Sequence, residues 1–191
     1  MSEVSTAVTQ QLHRHYYPFI PNLRLKNERR MIVLFSGVPG SGITTLARQL
    51  EKAHHGVRVS TDEVREIIDS LHLSTSEEQR QKIVRAYIPF CFSALANEPN
   101  RLIIFDANVD HTYPRIRDWA HEHGYELFLI ELSSTKEAVL ERLRAREDAK
   151  LPLYTEKLAG WLEDQARFLK EVTPRARLEG GNDVAKFALE Y

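Results

Sequence analysis

Cysteine is almost absent from this chain, because Cys91 is the single cysteine among its 191 residues. One cysteine excludes an internal disulfide bond and favours a reducing compartment. Since Cys91 lies in the apolar run 88–92, we expect it to be a small core residue rather than a nucleophile. The chain also lacks an apolar stretch of membrane-spanning length, and its polar start, residues 1–6, lacks a signal-peptide core. The sequence therefore predicts a soluble protein with a cytoplasmic address.

Positive charge is not in surplus, because 26 lysine and arginine residues stand against 27 aspartate and glutamate residues, for a net charge of -1. Broad, non-specific binding to a nucleic-acid duplex depends on such a surplus. The composition argues against that class of protein and leaves only a local basic groove open. Internal repeats and low-complexity segments are also lacking, and 191 residues favour one domain with a modest extension.

We predict that the extension is residues 1–30 and that the domain is residues 31–191. Pro18 and Pro21 bias the residues before them away from the helical region, so the aromatic stretch 16–21 should be extended. The extension is basic through Arg14, Arg24, Lys26, Arg29 and Arg30. It is either a strap that guides a phosphate-rich partner or, in the more ordinary interpretation, a tail that packs its aromatic rings on the domain.

The rest of the sequence is organised around residues 37–45, which lie between the apolar run 31–35 and the amphipathic stretch 46–50. This central stretch is Gly37, Val38, Pro39, Gly40, Ser41, Gly42, Ile43, Thr44 and Thr45. Three glycines allow positive φ angles and bring successive N–H groups toward one point, and the helix that follows adds the positive end of its dipole. The pattern predicts a phosphate-binding loop made of main chain. A glycine-rich turn without a ligand would not explain three glycines at these spacings together with two threonines.

The loop matches the pattern GxxxxGK[ST] at Gly37, Gly42 and Thr44 and departs from it at Ile43. The lysine of the pattern reaches the β- and γ-phosphates of a nucleotide. Isoleucine keeps the main-chain cradle but removes its one full positive charge. We therefore expect the loop to bind nucleotide and to transfer phosphate poorly.

Apolar strands alternate with amphipathic helices along the chain, which predicts an α/β fold with a parallel sheet covered by helices on both faces. Strands are expected at 31–35, 57–60, 101–106, 125–132 and 175–178. Helices are expected at 3–15, at 44–54, from a capping box at 60–63, at 74–97, at 112–124 and from a capping box at 134–137. After a break at residues 151–153, which include Pro152, further helices are expected at 155–172 and from 182. Ligands of such sheets bind at the carboxyl ends of the strands.

Two residues are candidates to hold a magnesium ion. Thr44 has the hydroxyl position of the loop pattern, and Asp106 ends a buried strand, where a carboxylate can hold the ion directly or through water. Asn108, two residues later, could orient Asp106. The alternative is that Asp106 only caps the turn that follows the strand.

Asp62 follows the second strand by two residues, where it could serve as the general base for an acceptor hydroxyl. Arg65 lies three residues later on the same helix face and could clamp a phosphate or carboxylate of the acceptor. The ordinary interpretations are that Asp62 pairs with the helix dipole and that Arg65 pairs with Asp62.

Arg142 and Arg146 are four residues apart, so both project from one side of their helix. Their guanidinium groups could reach over a triphosphate as a lid, placed at about residues 135–155, closes on the site. Solvated charge paired with Glu141 and Glu147 is the ordinary alternative.

Four motifs together resemble the small P-loop kinases grouped with phage polynucleotide kinase, which have zeta toxins and small-molecule kinases as neighbouring relatives. The motifs are residues 37–45, Ser60-Thr61-Asp62-Glu63-Val64-Arg65, Phe105-Asp106-Ala107-Asn108 and Glu141-Arg142-Leu143-Arg144-Ala145-Arg146. The resemblance covers roughly residues 31–155 and implies a P-loop NTPase fold with five parallel strands in the order 2-3-1-4-5. It also implies ATP with magnesium as the donor, Asp62 as the general base, Arg65 as a contact to the acceptor, and Arg146 as a contact to the nucleotide phosphates.

Ile43 departs from the pattern of that family and leaves more than one function open. The first is an ATP-dependent phosphotransferase that acts on a hydroxyl of a small molecule or of a nucleic-acid 5′ end and is impaired by Ile43. The second is a non-catalytic nucleotide-binding module. The third is binding of single-stranded nucleic acid through the basic extension.

Overall fold

A computed structural model of the chain describes residues 30–54, 56–70, 76–96, 102–146 and 151–179, apart from the side chains of Phe90 and Ala94. The strands in these ranges are β1 (Met31–Ser36), β2 (Val57–Ser60), β3 (Leu102–Asn108), β4 (Glu126–Ser133) and β5 (Ala176–Glu179). The helices are α1 (Ile43–His54), α2 (Thr61–Ser70), α3 (Glu77–Ala96), α4 (Tyr113–Glu122), α5 (Lys136–Ala145) and α6 (Leu151–Glu171). The helices predicted at 3–15 and from 182 lie outside the described residues.

The five strands form one parallel sheet in the order β2-β3-β1-β4-β5. The predicted fold class and strand order are therefore confirmed. β1 is the central strand, and its Met31 is in register with Leu102 of β3 on one side and with Glu126 of β4 on the other. Because the strands are parallel, their carboxyl ends share one edge of the sheet, and the loops that follow them meet there.

The core lies on both faces of the sheet. Ile32 and Leu34 of β1 pack with apolar residues of α3 and α4, whereas Val33 and Phe35 pack on the other face with residues of α1. All six residues of β1 are buried, which explains why this strand is a continuous apolar run in the sequence. Full burial of each large apolar side chain stabilises the fold by about 1.5–3 kcal/mol, so β1 is a rigid base for the loop that follows it.

Cys91 lies in the larger of these two clusters, as the sequence predicts. Burial raises the pKa of the Cys91 thiol to about 12. The thiol is therefore protonated at neutral pH and unreactive.

The helices α5 and α6 pack against the loop itself. Val139 and Leu143 of α5 and Leu158 of α6 form a small buried cluster with Val38. The region predicted as a lid, about 135–155, thus contains α5 and the start of α6.

The start of α6 differs from the predicted one. The sequence predicts a break at Pro152 and a helix from Thr155, whereas the helix begins at Leu151. Pro152 lies in the first turn, where its missing N–H has no intrahelical acceptor to lose. The Thr155 hydroxyl donates to the Leu151 carbonyl at 2.8 Å, inside that turn.

Among the described helices, none combines the length and the apolar character needed to cross a membrane.

Two other helices have caps one or two residues later than predicted. At α3, Ser76 and Gln79 make a reciprocal box: the Gln79 N–H donates to Ser76 Oγ at 3.2 Å, and the Ser76 N–H donates to Gln79 Oε1 at 2.9 Å. At α5, the Ala138 N–H donates to Thr135 Oγ1 at 3.2 Å, so Thr135 rather than Ser134 is the N-cap residue.

Candidate functional site

The predicted phosphate-binding loop connects β1 to α1 at the carboxyl edge of the sheet. Gly40 and Gly42 have φ angles of 84° and 108°, a region that side chains other than glycine rarely enter. Among the described residues, the backbone N–H groups of Gly42, Ile43 and Thr44 have no protein acceptor, and the first helical bond beyond them runs from Leu46 N to the Gly42 carbonyl at 3.0 Å. These unpaired amides lie at the positive end of the α1 dipole, so the loop can bind an anion with main-chain donors.

The loop is hydrogen-bonded to the end of β3, and its own residues pack closely around Gly37. The Gly37 N–H donates to Asn108 Oδ1 at 3.4 Å, and Asn108 Nδ2 donates to Asp110 Oδ2 at 3.0 Å. A Cβ atom at Gly37 would lie only 2.6 Å from Ser41 Oγ and 3.2 Å from Leu132 Cβ, so a larger residue there would require these neighbours to shift. The side chain of Asn108 thus contacts the loop and Asp110, and the orienting of Asp106 by Asn108 stays a prediction.

Arg142 supports the loop from the side of α5. Its Nη1 atom donates to the Gly40 carbonyl at 3.1 Å and to Ser134 Oγ at 3.2 Å. Arg142 is not among the residues that line the cleft described below, whereas Arg146, the C-cap residue of α5, is exposed and lines it. The placement of Arg142 differs from the predicted reach over a triphosphate, because its guanidinium is held by the loop backbone.

The two predicted magnesium ligands contact each other. Thr44 Oγ1 donates to Asp106 Oδ1 at 3.0 Å, although the two residues are 62 positions apart in the chain. Thr44 is exposed at the start of α1, and Asp106 is buried near the end of β3. Hydroxyl and carboxylate oxygens are the ligands that magnesium prefers, and the ion takes its other ligands from phosphates and water. The described residues contain no group of three or more His, Cys, Asp or Glu that could hold a metal, so a magnesium ion here would need the phosphates.

Arg58 is a residue of this site that the sequence analysis missed. Its Nη1 atom lies 2.6 Å from Asp106 Oδ2, and its guanidinium also pairs with Glu63 and, at 3.2 Å, with Glu51. Arg58 is only 8% exposed. It was missed because it stands between two apolar residues in a short predicted strand. The sequence did contain a signal for Arg58. The flanking residues Val57 and Val59 indicate a buried strand, and a charge that is buried among such residues needs a partner of opposite charge.

Asp62 and Arg65 lie on the exposed side of α2. Arg65 Nη1 is 2.5 Å from Asp62 Oδ1 and 3.4 Å from Thr61 Oγ1. The Asp62 side chain is 75% exposed and the Arg65 side chain is 39% exposed, so the pair contributes little to stability. The Asp62–Arg65 ion pair, predicted as the ordinary alternative, is thus present.

One large cleft of about 1440 Å³ joins these parts. It is lined by loop residues including Ile43 and Thr44, and by Asp62, Asp106 and Arg146. Ile43 is half-buried and packs partly against the apolar cluster beneath α1. Its side chain thus leaves the cleft without the charge that a lysine would place there.

Three other cations line the cleft near the loop and along α6: Arg48, Arg146 and Lys157. Within the described part of the chain, none of them forms an ion pair with a carboxylate. These three side chains bring positive charge to the cleft at several separate positions. A lysine at position 43 would instead place its charge directly at the phosphates.

The sheet order, the glycine loop and the Thr44–Asp106 contact define a P-loop fold of the kinase type. The chain belongs to the AAA domain family, whose sequence model matches residues 32–168. No curated protein matches the chain.

Solved structures with the same fold include a toxin–antitoxin system and two kinases. The PezAT chromosomal toxin–antitoxin structure of Streptococcus pneumoniae has a TM-score of 0.66 at 16% identity, over 89% of this chain and 75% of that one. Shikimate kinase from Acinetobacter baumannii has a TM-score of 0.54 at 17% identity, over 83% and 88%. The Mycobacterium tuberculosis APS kinase in complex with AMPPNP and APS has a TM-score of 0.53 at 18% identity, over 84% and 94%. At these identities the similarity establishes the fold alone.

Proposed function

We propose that this protein binds ATP with Mg²⁺ and transfers the γ-phosphate to a hydroxyl of a small molecule or of a nucleic-acid 5′ end, at a rate lowered by Ile43. The observation that carries the proposal is the 3.0 Å contact between Thr44 and Asp106 at the end of a glycine loop with unpaired amides. Asp62, a carboxylate that could accept the hydroxyl proton, lines the same cleft. Phosphoryl transfer needs chiefly such positioning and charge, with little covalent help from protein.

In this proposal each part has a role. Residues 37–45 hold the phosphates through main-chain N–H groups, and Thr44 and Asp106 supply oxygen ligands for Mg²⁺, which when bound neutralises phosphate charge. Asp62 accepts the proton of the acceptor hydroxyl, and Arg65 orients Asp62 through their ion pair.

The two lid arginines have different parts in the proposal. Arg146, which lines the cleft, stabilises charge on the transferred phosphate. Arg142 positions the loop through the Gly40 carbonyl.

The experiment compares this chain with Ile43→Lys. A fixed positive charge at the γ-phosphate acts in the transition state, so we expect the substitution to raise phosphate transfer by about 100-fold or more. Ile43→Met, which is similar in size and uncharged, is the matched control and should leave the rate unchanged. Transfer from labelled ATP to a mixture of small hydroxyl compounds and to oligonucleotides with a 5′ hydroxyl is the measurement. Absence of transfer by both this chain and the lysine variant would refute the proposal.

A second candidate function is a nucleotide-binding module without catalysis. The absence of a lysine at position 43 favours it, and so does the ion pair that occupies Asp106 Oδ2. This candidate predicts that ATP binds to the chain and to Ile43→Lys while neither transfers phosphate. The same experiment, with ATP affinity measured in parallel, therefore separates the two functions.

A further inference from the structure

The cleft is lined by more arginines than the proposed roles at the nucleotide and at Asp62 use. The arginines that α2, α3 and α4 contribute to its lining are Arg65, Arg80, Arg85 and Arg115. Arg65 is paired with Asp62, at 2.5 Å. Arg80 lies 2.9 Å from Asp69 and 3.1 Å from Glu77. The charges of Arg65 and Arg80 are thus balanced by neighbouring carboxylates.

Among the described residues, no carboxylate balances the charges of Arg85 and Arg115 in this way. In the part of the chain that the structure describes, neither lies within ion-pair distance of a carboxylate. Arg115 Nη2 donates to the backbone carbonyl of Arg85 at 3.2 Å, which links α4 to α3. The Arg115 guanidinium thus lies against the backbone of Arg85, and both exposed residues line the cleft.

The helix dipole makes the position of Arg115 unfavourable in the absence of an anion. Arg115 is the third residue of α4, at the positive end of its dipole. The first turn of α4 contains no acidic residue, and the side chain of Thr112 makes no capping hydrogen bond. A bound anion would interact favourably with both guanidinium groups and with the helix end.

We infer that Arg85 and Arg115 form a subsite for the anionic group of the acceptor, which is a small hydroxyl compound carrying a phosphate or a carboxylate. This inference rests on the proposed function and names the class of its substrate. Guanidinium groups match both anions because their planar N–H donors bind two oxygens at once. Next to the arginines, the half-buried ring of Trp119 packs on Phe92 with ring centroids 5.3 Å apart and offers an apolar surface for the body of the acceptor.

A small acceptor is favoured over a nucleic-acid strand by the rest of the lining. The carboxylates that also line the cleft are Asp62, Glu66, Asp69, Glu77 and Asp106. A strand with a phosphate at every nucleotide would approach several of them and be repelled. A compact molecule with one anionic group can place that group at the two arginines and present only its neutral hydroxyl to Asp62.

The test fractionates possible acceptors by charge before the reaction. An ultrafiltered extract of cellular small molecules is separated on an anion exchanger into a retained pool and a flow-through pool. Each pool, and an oligonucleotide with a 5′ hydroxyl, is incubated with γ-labelled ATP, Mg²⁺ and either this chain or Ile43→Lys. Phosphatase treatment of the retained pool before the reaction, followed by removal of the phosphatase, distinguishes a phosphorylated acceptor from a carboxylated one.

We expect label to enter the retained pool and its transfer to fall by about 10- to 100-fold in Arg85→Gln and in Arg115→Gln, because each removes a charged hydrogen bond to the acceptor. The matched control is Arg117→Gln. Arg117 lies on the same helix, pairs with Asp118 at 2.7 Å and does not line the cleft, so its substitution should change nothing. ATP affinity should be the same in all these variants.

Three results would overturn the inference while leaving a kinase in place: label in the flow-through pool, label in the oligonucleotide, or label in the retained pool that neither arginine substitution reduces. Absence of label in every pool would instead refute the proposed function, and the inference would fall with it. The two failures are therefore distinguishable.

Discussion

Arg58 and Asp106 form a buried ion pair at the carboxyl edge of the sheet, with 2.6 Å between Arg58 Nη1 and Asp106 Oδ2. Their side chains are 8% and 2% exposed. The other carboxylate oxygen accepts the hydrogen bond from Thr44. Both oxygens of the proposed metal-binding carboxylate are thus held by the protein, which fixes its orientation.

Replacing Arg58 with leucine should destabilise the protein by about 3–5 kcal/mol, because the substitution leaves the Asp106 carboxylate buried without its cation. Urea unfolding measures the change. Arg177→Leu is the control, since Arg177 pairs with Glu131 at 3.0 Å but is 68% exposed, and its loss should cost about 1 kcal/mol or less. Equal losses in the two variants would contradict a structural role for the Arg58 pair.

Substitution of Gly42 with alanine should weaken nucleotide binding and cost roughly 1–3 kcal/mol of stability through backbone strain. The φ angle of Gly42 is 108°, and no atom lies within 4 Å of the added methyl group, so strain rather than a clash is the cause. Gly160→Ala is the matched control: Gly160 lies in α6 with open space around it, and alanine there should stabilise the helix by up to about 1 kcal/mol. Thermal unfolding and ATP titration check both variants. If Gly42→Ala stabilised the protein, the claim that only glycine adopts this backbone conformation without strain would be contradicted.

Loss of Arg142 should act on ATP affinity rather than on the acceptor. Arg142→Met removes the two hydrogen bonds that hold the Gly40 carbonyl and Ser134, so we expect ATP to bind about 10-fold more weakly. Arg144→Met changes an exposed residue of the same helix and should have no effect. ATP titration distinguishes this positioning role from a direct contact to the transferred phosphate, which would lower kcat and leave ATP affinity intact.

Stability should depend on pH through Asp110. Burial raises the pKa of Asp110 above its ordinary value of 3.8, although a hydrogen bond from Asn108 opposes the effect. The folded state therefore favours the protonated carboxyl, and this contribution is complete below pH 3.8 and is lost as the pH rises through the folded pKa.

Asp110→Asn, which does not titrate, should accordingly be more stable than this chain at neutral pH, and the difference should shrink in acid. Urea unfolding across the pH range measures the difference. If the difference in the free energy of unfolding did not change with pH, the charge of Asp110 would not destabilise the folded state.

The fold was predictable because its signals are local and agree with one another. The run 31–35 and the strand 57–60 are buried in the sheet as their composition indicates, and the glycine loop follows β1 as predicted. Strand order came from the family resemblance, since no local pattern encodes which strands are neighbours. The start of α6 was misplaced because proline was treated as a breaker, and Pro152 instead lies in a first turn.

The site was only partly predictable because its contacts join distant residues. The placement of Thr44 against Asp106 follows from the rule that strand ends meet at one edge. Arg58 was missed, and the contact of Arg142 with the Gly40 carbonyl was not foreseen, since each depends on how a long side chain turns in the folded protein.

The most direct test of this account is calorimetric titration of the chain with ATP and Mg²⁺, with adenosine and ATP without Mg²⁺ as comparisons and with Thr44→Val and Thr44→Ser as variants. We predict that ATP with Mg²⁺ binds at least about 10-fold more tightly than adenosine, that the dependence on Mg²⁺ is lost in Thr44→Val, and that it is kept in Thr44→Ser. Absence of heat with ATP, or equal affinity for ATP and adenosine, would contradict the claim that the loop binds a triphosphate.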